Sequence, residues 1–274
     1  MNTNAVDFDT GSSDLFLPSS TCNGANCRGH TKFNTAASDT AADQNEEFSL
    51  AFGDGSTVQG EVFTDTVSVG GLTATDQAVG AATQYSNGFA LANFPPDGIM
   101  GMGFPQISVF EANPVFQTLF AQGQATENVF GFTLLPTGSE LFLGGTDTSK
   151  FTGDLAFTPV TQVGFWEINS DGVSVGGTTV VGPQDSIVDT GTTLVLGDTE
   201  NVRSVYAAIP GARDASRLIG QGFFTAPCAN FPDNVALILG GKTFTMSAET
   251  FNLGQVSPFI PECVGGLVAD DVGE

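Results

Sequence analysis

Asp-Thr-Gly occurs twice in this chain, at Asp9-Thr10-Gly11 and Asp189-Thr190-Gly191, and both copies share a local frame. Val6-Asp7-Phe8 runs into the first copy and Ser186-Ile187-Val188 into the second. Small hydroxyl pairs follow, Ser12-Ser13 and Thr192-Thr193, and then apolar residues resume as Leu15-Phe16-Leu17 and Leu194-Val195-Leu196. Each copy reads as strand, tight loop, strand, with a carboxylate at the tip of the loop. A lone copy would be ordinary turn chemistry. The matched frames instead predict two similar β-rich halves, each offering one Asp to a common site. Carboxyl groups that close cannot both ionise cheaply, so one keeps its proton and the pair holds an acid and a base together. That is machinery for splitting an amide with water.

The 274 residues suffice for two lobes with separate cores, and 24 Phe supply much of the apolar volume. Formal net charge is −23, from 30 acidic against 7 basic residues, which argues against nucleic acid and against anionic membranes as partners. So acidic a surface repels itself at neutral pH, and the fold is expected to prefer mildly acidic medium. No apolar run is long enough to span a bilayer.

Cys22, Cys27, Cys228 and Cys263 allow three pairings, of which local loop closure favours 22–27 with 228–263. A zinc site lacks a second ligand pair, since His30 is the single histidine, so no metal and no cofactor is expected. His30 itself reads as a surface residue. Disulfides imply an oxidising compartment. Met1-Asn2-Thr3-Asn4-Ala5 is no signal peptide, so a secreted parent protein is expected whose export signal lies outside this sequence.

Most of the chain reads as short strands. Phe48 to Phe52 alternates, Gly53-Asp54-Gly55-Ser56 makes a hairpin tip, and Glu61 to Val69 alternates again up to Gly70-Gly71. Val67 to Gly71 is echoed by Val173 to Gly177, either from lobe duplication or from shared strand-turn chemistry. Helices are expected at Pro114–Gln122, stopped by Gly123, and at Thr199–Ile209, capped by Asp198 or Thr199. The expected fold class is mainly all-β, with one lobe at 1–160 carrying the first loop and the hairpin, and a second at 161–274.

The stretches Asp9 to Pro18 and Ile187 to Leu194 resemble the two signature loops of pepsin-like aspartic proteases, and of secreted fungal members in particular. Phe52-Gly53-Asp54-Gly55-Ser56 stands where that family has its flap. Asp97 to Gly103 resembles the strand threading the first loop; Leu143 to Asp147, Phe151 to Gly153 and Phe165 to Ile168 resemble the interlobe segment. Both cysteine pairs fall where family disulfides occur. The resemblance covers nearly the whole chain. It implies a bilobal fold with a cleft, and a monomeric acid endopeptidase that takes extended polypeptides and is inhibited by statine-type peptides.

By the same resemblance, Asp9 and Asp189 bind the attacking water and share a proton. Thr10 and Thr190 link the loops, Ser12 and Thr192 orient the carboxylates, and Gly11 and Gly191 let backbone amides approach. Phe52, Gly53 and Asp54 form the substrate-binding flap, where Asp54 is expected to attract Lys or Arg. Two departures go together: Phe52 replaces the usual Tyr and Phe16 the usual Trp, removing both partners of one hydrogen bond, a change that can be nearly neutral. The interval from Asp9 to Ile99, applied to Asp189, points past Glu274, so a chain incomplete at both ends is expected. Two other classes remain as alternatives: a non-catalytic relative that binds peptide or ligand, and a calcium-binding protein, for which no Asp-rich loop closed by Glu is present.

Overall fold

The computed structural model describes residues 3–271. By internal contacts these fall into two compact units. One comprises the chain up to Leu155 with Gln162–Trp166 and Val188–Gly191; the other comprises Ala156–Thr161, Glu167–Ile187 and the chain from Thr192. The tip of the second Asp-Thr-Gly loop thus belongs by its contacts with the first unit.

The first unit is built on β1 (Val6–Asp9), β2 (Leu15–Pro18), β3 (Ala42–Ala51), β4 (Thr57–Val69), β5 (Leu72–Tyr85) and β6 (Gly98–Gly101), in sheet order β1-β6-β2-β5-β4-β3. β6 runs parallel to β1, pairing Gly101 with Asp9, and antiparallel to β2, pairing Met100 with Leu15. The strand therefore threads between the two arms of the first loop. Alternation decides the packing: Leu15 and Met100 enter one apolar cluster, Phe16 and Ile99 another. Helix α1 (Val115–Ala121) buries Val115, Phe116 and Leu119 in the first cluster, which also takes Val6 and Phe8 from β1. Pro114 precedes the helix and Gly123, at φ 71°, ends it, as the sequence predicts. The hairpin β7 (Phe130–Thr133) and β8 (Glu140–Leu143) completes the unit.

The chain continues through β9 (Val160–Val163), β10 (Trp166–Ser170), β11 (Gly172–Val175), β12 (Thr178–Val181), β13 (Gln184–Ile187) and β14 (Val195–Gly197). After helix α2 (Thr199–Ala207) come β15 (Arg213–Asp214), β16 (Phe224–Pro227), β17 (Val235–Leu239) and β18 (Lys242–Thr245). Helix α3 (Ala248–Phe251), β19 (Asn252–Ser257), β20 (Ile260–Gly265) and β21 (Leu267–Ala269) close the described chain. The second unit holds the sheets β12-β11-β17-β18 and β15-β16-β20-β19, and β14 pairs in parallel with β21. Asp198 caps α2 by accepting from the Asn201 amide at 2.9 Å. The helix buries Val202, Val205 and Tyr206, and Tyr206 stacks on Phe224 at 4.5 Å.

Strand dominates both units, so the all-β reading holds. The disulfides join Cys22 to Cys27 and Cys228 to Cys263, the favoured pairing. In the echo of Val67–Gly71 by Val173–Gly177 both Gly pairs have φ between 58° and 84°, as the two-residue hairpin requires, and Gly240-Gly241 repeats it at 56° and 74°.

His30 corrects the sequence reading. It is buried, not a surface residue, at 6% exposure, with Nε2 2.9 Å from the Phe89 carbonyl oxygen and the ring edge-on to Tyr85. The cause is Asp97 at the head of β6, whose carboxylate accepts the amides of Ala5 and Thr31 and draws the loop carrying His30 onto the sheet.

Candidate active site

β1 delivers Asp9 to the end of a strand, where the chain turns through Thr10-Gly11. Asp9 Oδ1 accepts from the Gly11 amide at 2.8 Å and Oδ2 from the Ser12 hydroxyl at 2.5 Å. The second loop repeats this turn, with the Gly191 amide donating to Asp189 Oδ1 at 2.9 Å. One local sequence therefore makes one local shape twice.

Four bonds lock the two tips together. The Thr10 amide donates to Thr190 Oγ1 at 3.1 Å, and the Thr190 amide donates to Thr10 Oγ1 at 2.9 Å. Each hydroxyl then donates to the opposite backbone: Thr10 to Val188 O at 2.9 Å, Thr190 to Phe8 O at 2.6 Å. Both threonines satisfy donor and acceptor capacity in a nearly two-fold arrangement. The clamp also sets where the carboxyls lie. A Cβ on Gly11 would meet the Asp189 carboxyl at 2.6 Å, and one on Gly191 would meet Asp9 Oδ1 at 2.3 Å. Each carboxyl thus lies over the other loop's glycine, in space that any side chain would fill.

Asp9 is 6% exposed, and Asp189 is half-buried. Burial pushes the Asp9 carboxyl up to about 6; a hydrogen bond and the charge of Asp189 push the same way, against Ser12 and the Gly11 amide. Asp7 is raised too, by burial and then by Asp189. So is Asp14, by burial, although it accepts from Ser108 Oγ at 2.6 Å and from the Val109 and Phe110 amides.

These directions make a stability prediction. A carboxyl whose folded value is raised takes up its proton more readily in the native state, so its contribution is complete below the ordinary value near 4. That contribution is lost as pH rises through the folded value, here about 6 for Asp9. Asp147, Asp214 and Asp271 are lowered, chiefly by neighbouring hydroxyls and amides, so their contribution is complete above the ordinary value, is lost only as pH falls below it, and does not change over the range in which Asp9 titrates. The melting temperature is expected to drop by about 5–10 °C between pH 4.5 and 7. Calorimetry showing a rise over that interval would contradict it.

The residues expected to form the flap lie at the turn between β3 and β4. Phe52 N donates to Ser56 O and Gly55 N to Phe52 O, both at 2.9 Å, while Gly53 and Asp54 are exposed. Both Asp54 oxygens accept from Ser56, from its amide at 2.8 Å and its hydroxyl at 2.7 Å, which stiffens the tip. Thr192 follows Gly191 and is exposed. Sequence reasoning missed Asp14, Ser13 and Asp97 as supports of the site. Ser13 Oγ donates to Phe104 O at 2.6 Å, and Trp166 Nε1 to Met102 O at 2.9 Å with its ring against Phe104, in keeping with a packing role.

A polar hollow on the second unit, lined by Asp198, Thr199, Glu200, Arg203, Ser204, Ala207 and Asp271, contains none of these groups. Among the described residues, no cluster of three His, Cys, Asp or Glu could hold a metal ion. No helix among them is long and apolar enough to cross a membrane.

Two identical turns with clamped threonines and facing carboxyls agree with the comparison to known families. The model of the eukaryotic aspartyl protease family matches residues 2–274. The chain belongs to that family. It is 43% identical over 272 residues to an aspartic protease of Phaffia rhodozyma, covering 98% of this chain and 66% of that protein. It is 36% identical over 279 residues to cathepsin D of Clupea harengus, and 35% over 275 residues to pepsin A of Sus scrofa, covering 97% of this chain and 68% of each relative. The chain thus spans about two thirds of the length of these curated relatives. Phe52 packs on the fully buried Phe16 at 6.0 Å and on Phe89 at 5.2 Å. These contacts are between apolar rings, so neither Phe16 nor Phe52 leaves a side-chain donor stranded.

Proposed function

We propose that this protein is an aspartic endopeptidase that cleaves extended polypeptides in acid, with Asp9 and Asp189 as the reacting pair. The observation that carries the reading is the placement of each carboxyl over the opposite glycine, under the threonine clamp. One carboxylate takes a proton from a water held between the two, and the water oxygen bonds to the substrate carbonyl carbon. The protonated partner gives its proton to the carbonyl oxygen. Collapse of that intermediate breaks the C–N bond, and the nitrogen leaves with a proton returned through the pair. Ser12, with Thr192 as its counterpart, and the Gly11 and Gly191 amides orient the carboxylates. Thr10 and Thr190 fix the loops, and the raised value of Asp9 supports a retained proton in acid.

Phe52, Gly53 and Asp54 are the residues we assign to covering the substrate, and the exposed Asp54 carboxylate favours Lys or Arg beside the cut. A monomer acting outside the cell fits the two disulfides and the acidic surface. The alternative of a non-catalytic peptide binder gains nothing from the relatives, whose names include aspartic protease and pepsin.

The test is cleavage of a denatured protein between pH 3 and 5, with and without a statine-type peptide. Inhibitor-sensitive cleavage is expected, and Asp54→Ser should lose several-fold more rate on Lys peptides than on Leu peptides. A folded chain that neither cuts nor binds the inhibitor would refute the assignment.

A further inference from the structure

β1 carries a second carboxylate, Asp7, two residues before Asp9, and a strand sends alternate side chains to opposite faces. Val6 and Phe8 pack into the core beneath α1, so Asp7 shares the face of Asp9. It is half-buried, and the neighbouring strand β6 offers it only Gly98, Ile99, Met100 and Gly101, none of which titrates. Asp97 before them is occupied by the amides of Ala5 and Thr31. From the other side comes Val188–Gly191, held by the bond from Thr190 Oγ1 to Phe8 O, the residue that separates Asp7 from Asp9. That segment brings one charged group, Asp189, which acts directly on Asp7. None of the chain's seven Lys and Arg lies in β1, in β6 or in Val188–Gly191.

We infer that Asp7 is a positioning residue for the proposed reaction: a third carboxylate that acts through Asp189 and strengthens the hold of the reacting pair on its shared proton. This rests on the reading of Asp9 and Asp189 as that pair. The physical ground is like-charge repulsion. A pair holding one proton carries one negative charge, and its last proton is harder to lose when a further anion lies alongside and β1, β6 and Val188–Gly191 supply no Lys or Arg to offset it. The consequence falls on the alkaline side of the reaction, because that last proton is the one the substrate oxygen must receive. In this scheme the effect of Asp7 is electrostatic.

Aspartate labelled with 13C at the carboxyl allows the test. The signals of the reacting pair are identified by their loss in Asp9→Asn and Asp189→Asn, and are then titrated in the parent, Asp7→Asn, Asp7→Glu and Asp39→Asn. The upper midpoint of the pair is expected to fall by ~0.5–1 pH unit in Asp7→Asn. It should stay in place in Asp7→Glu, which keeps the charge, and in Asp39→Asn, which removes an exposed one. In peptide cleavage the alkaline limb of kcat/KM should move by the same amount, with kcat at pH 3.5 within about twofold of the parent. An upper midpoint unmoved in folded Asp7→Asn overturns the inference. So does an equal shift in Asp39→Asn. Should Asp7→Asn not fold, Asp7→Ser removes the same charge without added volume and is read by the same criteria. The titration needs no catalysis, so a displaced midpoint in a chain that cuts nothing would uphold Asp7's coupling while sinking the peptidase reading.

Discussion

Asp9→Asn is expected to lower kcat by about a thousandfold or more while leaving the protein folded, and Asp189→Asn to do the same. Asn preserves the size of the side chain and can still accept one of the two bonds that Gly11 and Ser12 now give Asp9. It can neither take a proton from water nor return one. The residues act as a unit, so the double variant should be little worse than either single one. Stability should move the other way. At pH 7 the native state holds an ionised, buried Asp9 whose proton affinity is raised to about 6, and removing that charge relieves the cost. Asp9→Asn is thus expected to melt higher than the parent at pH 7 and about equally at pH 4. Single-turnover cleavage with calorimetry checks both arms; a loss below tenfold would remove Asp9 from the chemistry.

Gly191→Ala should cost about a hundredfold in kcat, and Gly11→Ala about as much. A methyl at residue 191 would lie 2.3 Å from Asp9 Oδ1, and one at residue 11 would lie 2.6 Å from the Asp189 carboxyl. Neither approach is possible without moving the carboxyl, and a carboxyl that moves abandons the amide and hydroxyl holding it. Displacement by about 1 Å is enough to spoil alignment with water and substrate. Strain should also cost about 1–3 kcal/mol of stability. Gly182→Ala is the control, since nothing lies within 4 Å of its added methyl and its rate should hold within about twofold. If Gly191→Ala matched that control in steady-state cleavage and in melting, the described facing of loop and carboxyl would be wrong.

Local chemistry made much of this molecule legible from its residues. The alternation of Phe48 to Phe52, the turn at Gly53–Ser56, Pro114 ahead of α1 and Asp198 ahead of α2 each act over a few residues, and each lies where its spacing predicts. The cysteine pairing followed from loop closure. His30 shows the opposite case: beside a disulfide loop it has the sequence context of a surface residue. Its burial depends on Asp97, whose carboxylate reaches back to Ala5 and Thr31. Asp14 and Asp7 were hidden for the same reason. A single carboxylate in or beside a strand looks alike in sequence whether solvent, three donors or another carboxylate awaits it.

The sequence by itself determined the strands, the paired Asp-Thr-Gly turns, the capping residues and the acidic surface, because propensity, alternation and turn geometry are short-range. Tertiary structure alone decided that Thr10 and Thr190 exchange bonds across 180 residues of chain, that the second tip joins the first unit, and that the charge of Asp189 bears on Asp7. Those facts depend on which groups lose water together. Burial and the hydrogen bond and charge of Asp189, which together raise Asp9, exist only once distant segments meet.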